Sequence, residues 1–116
     1  MKTPDAVKAL AALAQDSRLA VYRLLVEQGP AGLSAGTIAE RLDMASATLS
    51  FHLKELANAR LVSARQDGRF IYYAANFDRM NDLIGFLTEN CCQGAGCLVE
   101  CAPKAAAGAK VRRTRA

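Results

Sequence analysis

Residues 37–58 carry the pattern that most narrows what this chain can fold into. Residues 37–42 predict a short helix with Ile38, Ala39 and Leu42 facing inward, and Asp43-Met44-Ala45 breaks it at once. Residues 47–58 predict a second helix, with Leu49, Leu53 and Leu56 at i, i+4 and i+7. Two short helices joined by so tight a break make a helix-turn-helix. Ser34 is placed to cap the first helix, with Leu33 and Ile38 as the apolar staple around the cap, and Ser46 to cap the second. Residues 61–74 then read as a β-hairpin, with Asp67-Gly68 as a type I′ turn. The fold class follows: mostly α with a small β-hairpin, a winged helix-turn-helix.

The second helix has a face the core does not use. At about 100° per residue, Ala47, Phe51, Lys54 and Asn58 lie opposite the leucines, with Ser50 and Glu55 on the flanks. Ala47, Thr48 and Ser50 leave room for a groove wall and reach phosphates or base edges. Phe51 either touches a thymine methyl or a deoxyribose, or packs on a neighbouring loop. Arg65 and Arg69 flank the hairpin tip, where the plainer reading is a solvated turn; beside a recognition helix, phosphate contact is favoured. The candidate DNA-contacting set is Ser46, Ala47, Thr48, Ser50, Phe51, His52 and Lys54 from the helix, and Arg65, Gln66 and Arg69 from the hairpin.

The flanking segments read as helices too. Residues 5–14 carry Val7, Leu10, Ala11, Leu13 and Ala14 at helical spacing. Asp16 is placed as the N-cap of a second helix bearing Leu19, Ala20, Val21, Leu24 and Leu25, which Gly29-Pro30 ends. Beyond the hairpin, Asn76 is placed to cap a helix over residues 77–89, where Phe77, Met80, Ile84 and Leu87 form a stripe widened by Leu83 and Phe86. So broad a stripe in a chain of 116 residues needs two partners, its own core and a second subunit. A two-fold dimer is expected, with Val7, Leu10, Met80, Leu83, Ile84 and Leu87 as the dimerisation set.

A chain this long fits one domain that buries its core without disulfides or metal. No apolar run is long enough for a transmembrane helix, and the N-terminal residues lack a signal-peptide core, so no membrane partner is expected and the cytoplasm is the expected compartment. The net charge of +4 hints mildly at an anionic partner, although much of it sits in the last residues. All four cysteines, Cys91, Cys92, Cys97 and Cys101, fall within residues 91–101. In a reducing compartment such a cluster reads as a soft-ligand or redox site rather than a disulfide framework. Residues 1–90 are thus expected to form the DNA-binding and dimerisation domain and 91–101 a cysteine-rich inducer segment. Residues 102–116, with Lys104, Lys110, Arg112, Arg113 and Arg115, are expected to be a basic tail without fixed structure.

The order of elements over residues 6–90 resembles the ArsR/SmtB family of metal- and metalloid-responsive repressors. The likeness rests on Thr37-Ile38-Ala39-Glu40-Arg41-Leu42, on Ser46-Ala47-Thr48-Leu49-Ser50-Phe51-His52-Leu53-Lys54-Glu55-Leu56, and on Ala59-Arg60-Leu61-Val62. It implies a homodimer that binds an imperfect palindrome of double-stranded DNA in its own promoter and leaves it when an inducer binds. Many members carry Cys-Val-Cys at the start of the first helix-turn-helix helix; here Leu33-Ser34-Ala35-Gly36-Thr37 has no cysteine. The family's carboxylate–histidine site is absent too, since His52 is the one histidine. Asn90-Cys91-Cys92 followed by Cys97 looks like the arsenite-responsive arrangement.

The chemistry of the cluster agrees with that likeness. Thiolates select thiophilic ions, and trivalent arsenic or antimony has three bonding positions that suit three thiolates in a pyramid. Adjacent Cys91 and Cys92 can turn both sulfurs to one side; Gly94 and Gly96 let the loop fold back so that Cys97 completes the set, with Cys101 as an alternative or a spare. As(III) or Sb(III) is therefore the expected inducer, with no organic cofactor. Zinc usually binds pairs spaced by two residues, and the common iron–sulfur spacings do not match. Another thiophilic metal (zinc, cadmium, lead) or an oxidant acting through the same cysteines is the alternative. An enzyme is not expected, because the chain has no nucleotide-binding glycine motif and no paired acid and base.

Overall fold

The computed structural model describes residues 1–94. Its elements are α1 (Thr3–Leu13), α2 (Asp16–Gln28), β1 (Leu33–Ser34), α3 (Ala35–Leu42), α4 (Ser46–Asn58), β2 (Val62–Asp67), β3 (Phe70–Ala75) and α5 (Phe77–Leu87), followed by one short turn at Cys91–Gly94. This is the expected winged helix-turn-helix with one strand more. The antiparallel sheet has the order β1-β3-β2, with Leu33 opposite Tyr73 and Ser34 opposite Tyr72. A strand of two residues has no period to detect, so the sequence showed only a helix cap there. Gly32 permits the pairing. Its φ is +75°, and a Cβ would run into the carbonyl of Tyr73, so only glycine lets the backbone approach β3 this closely.

One core joins every layer: Val21, Tyr22 and Leu25 of α2, Ile38 of α3, Leu49, Leu53 and Leu56 of α4, then Leu61, Val62 and Leu83. The Tyr22 hydroxyl is carried in with its ring, and burial raises its pKa above the usual phenol value, which keeps it neutral. The caps at Ser34 and Asn76 are as expected. Ser34 Oγ accepts from the Thr37 amide at 3.3 Å, and its staple residues Leu33 and Ile38 are both buried. Asn76 Oδ1 accepts from the Arg79 amide at 3.2 Å, while its Nδ2 donates to the Arg60 carbonyl at 3.1 Å, tying the exit of α4 to the entry of α5.

Several local expectations are corrected. Gln15, not Asp16, caps α2: its side chain accepts from the Arg18 amide at 2.9 Å. Asp16 lies in the first turn, where its charge suits the helix dipole. Ala45 is the N-cap of α4 and no side chain caps it, because Ser46 already lies inside the helix. α5 ends at Leu87 rather than at residue 89. α1 packs by Ala6, Ala9 and Ala12, which leaves Val7 and Leu10 of the expected dimerisation set exposed, while on α2 Leu19 and Ala20 are exposed rather than inward. The alanine face wins on α1 because small side chains let a helix pack closely. The hairpin turn is Gly68-Arg69, since Asp67 pairs with Phe70. Gly68 at φ +65° is the one positive-φ residue of the two, the pattern of a type II′ turn instead of I′. Among the described residues no helix is long and apolar enough to cross a membrane.

Leu56 is fully buried, so Leu56→Ala is expected to lower the unfolding free energy by about 2–5 kcal/mol in urea denaturation. Gly32→Ala is expected to cost more than about 1 kcal/mol by the same measurement, through its backbone clash and positive φ. A neutral Gly32→Ala would show that β1 does not need the close approach.

Candidate nucleic-acid interface and thiol site

α4 is held from beneath and open above. Leu49, Leu53 and Leu56 are buried, while Ser46, Ala47, Thr48, Ser50, Phe51 and Lys54 are exposed. Phe51 is 56% exposed, so it is a surface aromatic rather than a side chain packed on a loop. His52 departs from its expected place on the contacting face, for it is only 7% exposed. Its position explains this: it lies three residues after Leu49 and four before Leu56, on the edge of the inward stripe. The helical spacing alone pointed to that. The ring meets Phe51 edge-on at 5.7 Å between centroids, and its buried Nδ1 has no hydrogen-bond partner among the described residues.

The wing presents Arg65, Gln66 and Arg69 to solvent. The Arg65 guanidinium lies 5.2 Å from the Tyr72 ring centroid and donates to the Ala31 carbonyl at 3.5 Å. A planar cation stacked on a cross-strand aromatic is held in place without losing its charge. Gln66 Nε2 donates to the Gly68 carbonyl at 3.4 Å across the turn. Arg69 sits in the turn itself, closer to the tip than a flanking position.

α1 and α5 touch, and together they leave Val7, Leu10, Ile84 and Leu87 exposed. Asp5 and Arg79 pair across the two helices at 3.9 Å. Met80 is half-buried, and Leu83, expected on the dimer face, lies instead in the core of its own chain. Four large apolar side chains on adjoining helices form a face with no partner among the described residues.

The thiol pair follows directly. Thr88 Oγ1 donates to the Ile84 carbonyl at 2.8 Å and closes the end of α5. Asn90, Cys92 and Gln93 take left-handed backbone, with φ of 57°, 56° and 58°, and the turn brings Cys91 Sγ to 3.6 Å from Cys92 Sγ. That is too long for a disulfide, at about 2.05 Å. It is near the separation of two sulfurs sharing one ion through bonds of about 2.3 Å. Among the described residues no three potential ligands cluster. Cys97, Cys101 and the basic tail lie outside the described residues.

A helix-turn-helix domain family matches residues 13–63. The nodulation protein NolR of Rhizobium meliloti is 31% identical over 80 residues, covering 69% of this chain and 63% of that protein. The uncharacterized HTH-type transcriptional regulator YceK of Bacillus subtilis (strain 168) is 36% identical over 77 residues, covering 66% and 76%. The cadmium resistance transcriptional regulatory protein CadC homolog of Staphylococcus aureus is 28% identical over 80 residues, covering 69% and 64%. The matches thus span less than two thirds of NolR and of the CadC homolog. Among solved structures, an ArsR-like transcriptional regulator from Rhodococcus sp. RHA1 superposes with a TM-score of 0.67 at 27% identity, over 78% of this chain and 83% of that one. The homodimeric winged helix-turn-helix DNA-binding domain Mb0332 from Mycobacterium bovis gives 0.61 at 28% identity, over 78% and 84%.

If the α1/α5 face joins two copies, a charge placed in it will separate them. Leu87→Glu is expected to bring the mass from sedimentation equilibrium down to that of the 12.4 kDa chain. An unchanged dimer mass would exclude this face as the contact.

Proposed function

The chain belongs to the ArsR/SmtB family of winged helix-turn-helix transcriptional regulators, and on that footing we propose that it is a homodimeric repressor released from its operator when trivalent arsenic or antimony binds its cysteines. The observation that carries the choice of inducer is the Cys91–Cys92 sulfur pair, 3.6 Å apart just beyond α5. Two soft donors already on one side fit a thiophilic ion, and the sequence offers Cys97 or Cys101 as the third. The inducer supplies Lewis acidity toward thiolates.

The rest is the work of the chain's own residues. The exposed end of α4, with Ala47, Thr48, Ser50 and Phe51, suits a major groove, and Lys54, Arg65 and Arg69 suit phosphates. Paired recognition helices reach successive grooves about 34–36 Å apart only when the dimer holds them so. Cys91 and Cys92 follow the end of the helix that carries Ile84 and Leu87. Fixing the two sulfurs with a third therefore constrains how α5 ends, and with it the dimer face. The two sites are then coupled by a free energy of about 1–3 kcal/mol, the usual size for linked sites.

A second reading is favoured by the named role of one relative, the cadmium resistance regulator. In it the same cysteines sense another thiophilic metal or an oxidant. Fluorescence anisotropy of reduced protein on its own promoter DNA separates the two, titrated in parallel with arsenite, antimonite, cadmium, zinc and peroxide. Arsenite and antimonite are expected to lower DNA affinity by about 5–150-fold, and Cys91→Ser, Cys92→Ser and the double variant Cys97→Ser/Cys101→Ser to abolish the response. Release by cadmium, zinc or peroxide alone would replace arsenic with the second reading.

A further inference from the structure

The wing carries two large apolar side chains that neither the core nor the phosphate contacts explain. Every residue from Ser63 to Ile71 is exposed, and among them Phe70 is 59% and Ile71 45% exposed. They adjoin the turn residue Arg69 and, as neighbours in a strand, point to opposite faces of the ribbon. Phe70 shares its face with Tyr72, with 6.4 Å between centroids, and Arg65 stacks on Tyr72 at 5.2 Å. Ile71 lies opposite Gln66 on the other face. The tip thus carries an apolar side chain on each side, Arg69 at its end and Arg65 along one flank, with the exposed Asp67 paired opposite Phe70.

A DNA minor groove is about 6 Å wide. Two strands are themselves about 4.8 Å apart before any side chain is added, so the ribbon cannot enter, whereas one side chain can. We infer that Arg69 enters the minor groove while Phe70 and Ile71 press on the deoxyribose walls to either side, making the wing tip an apolar clamp as well as a charged contact. This rests on the proposed repressor function. Nucleic acid is the occupant favoured here, because Arg65 and Arg69 supply the complementary charge and a narrow groove concentrates negative potential.

Charge and apolar contact are separable by salt. Removing one phosphate or groove cation flattens the dependence of log affinity on log salt by about one unit, whereas removing an apolar contact lowers affinity without changing the slope. The experiment measures binding to fluorescein-labelled duplex covering the region upstream of the chain's own gene, over a range of salt. It compares the wild type with Phe70→Ser, Ile71→Ser, the double variant and Arg69→Gln. Each serine variant is expected to weaken binding about tenfold at every salt concentration, with the melting temperature unchanged because both residues are exposed. Arg69→Gln is expected to flatten the slope. A double variant that binds as tightly as the wild type, or whose slope falls as that of Arg69→Gln does, overturns the clamp and leaves the repressor standing. A wild type that binds no duplex overturns both.

Discussion

The burial of Leu49, Leu53 and Leu56 beneath α4, against Val21, Tyr22 and Leu25 of α2, is the constraint on which the other features depend. It fixes the rotation of the recognition helix. With the leucines down, Ala47, Thr48, Ser50 and Phe51 must face out. The same core fixes the wing, for Leu61 and Val62 continue it into β2, and Asn76 Nδ2 binds back to the Arg60 carbonyl before α5 begins. A single packed layer therefore sets the relative placement of recognition helix, wing and α5. Interiors are densely packed and do not deform smoothly, so the proposed release requires a change at the end of α5 to reach the other elements as a rigid shift.

Much of the fold was legible because two strong periods alternate along the chain. The i, i+4, i+7 leucines of α4 and the glycine turn of the hairpin are local signals, and both elements stand where they were expected. What escaped was decided by tertiary packing. Nothing local says that α1 packs by Ala6, Ala9 and Ala12. The pairing of Leu33-Ser34 with β3 depends on Gly32 meeting a backbone distant in sequence. Turn register is the same kind of case: Asp-Gly signals I′, but the pairing of Asp67 with Phe70 moves the turn one residue on.

The candidate sites divide the same way. The exposed row of α4 followed from face arithmetic, and so should the inward place of His52, which is i+3 from Leu49. Its polarity obscured its spacing. Leu83 was assigned to a dimer face, but it fills its own core, while Ile84 beside it stays out. The sequence showed a stripe too wide for one partner without showing where one partner's share ends. The adjacency of Cys91 and Cys92 was legible, and the left-handed turn that sets their sulfurs 3.6 Å apart was not.

The central claim is that the thiol pair and the DNA-reading face are linked through α5. Linkage is reciprocal: whatever factor the inducer takes from DNA affinity, DNA must take from inducer affinity. The most direct test is the arsenite dissociation constant of the reduced protein, measured free and again saturated with its promoter duplex. The account predicts weaker arsenite binding on DNA, by the same factor that arsenite weakens DNA binding. Equal arsenite affinity in the two states would show that the cysteines bind the ion without controlling the DNA, and would contradict the mechanism.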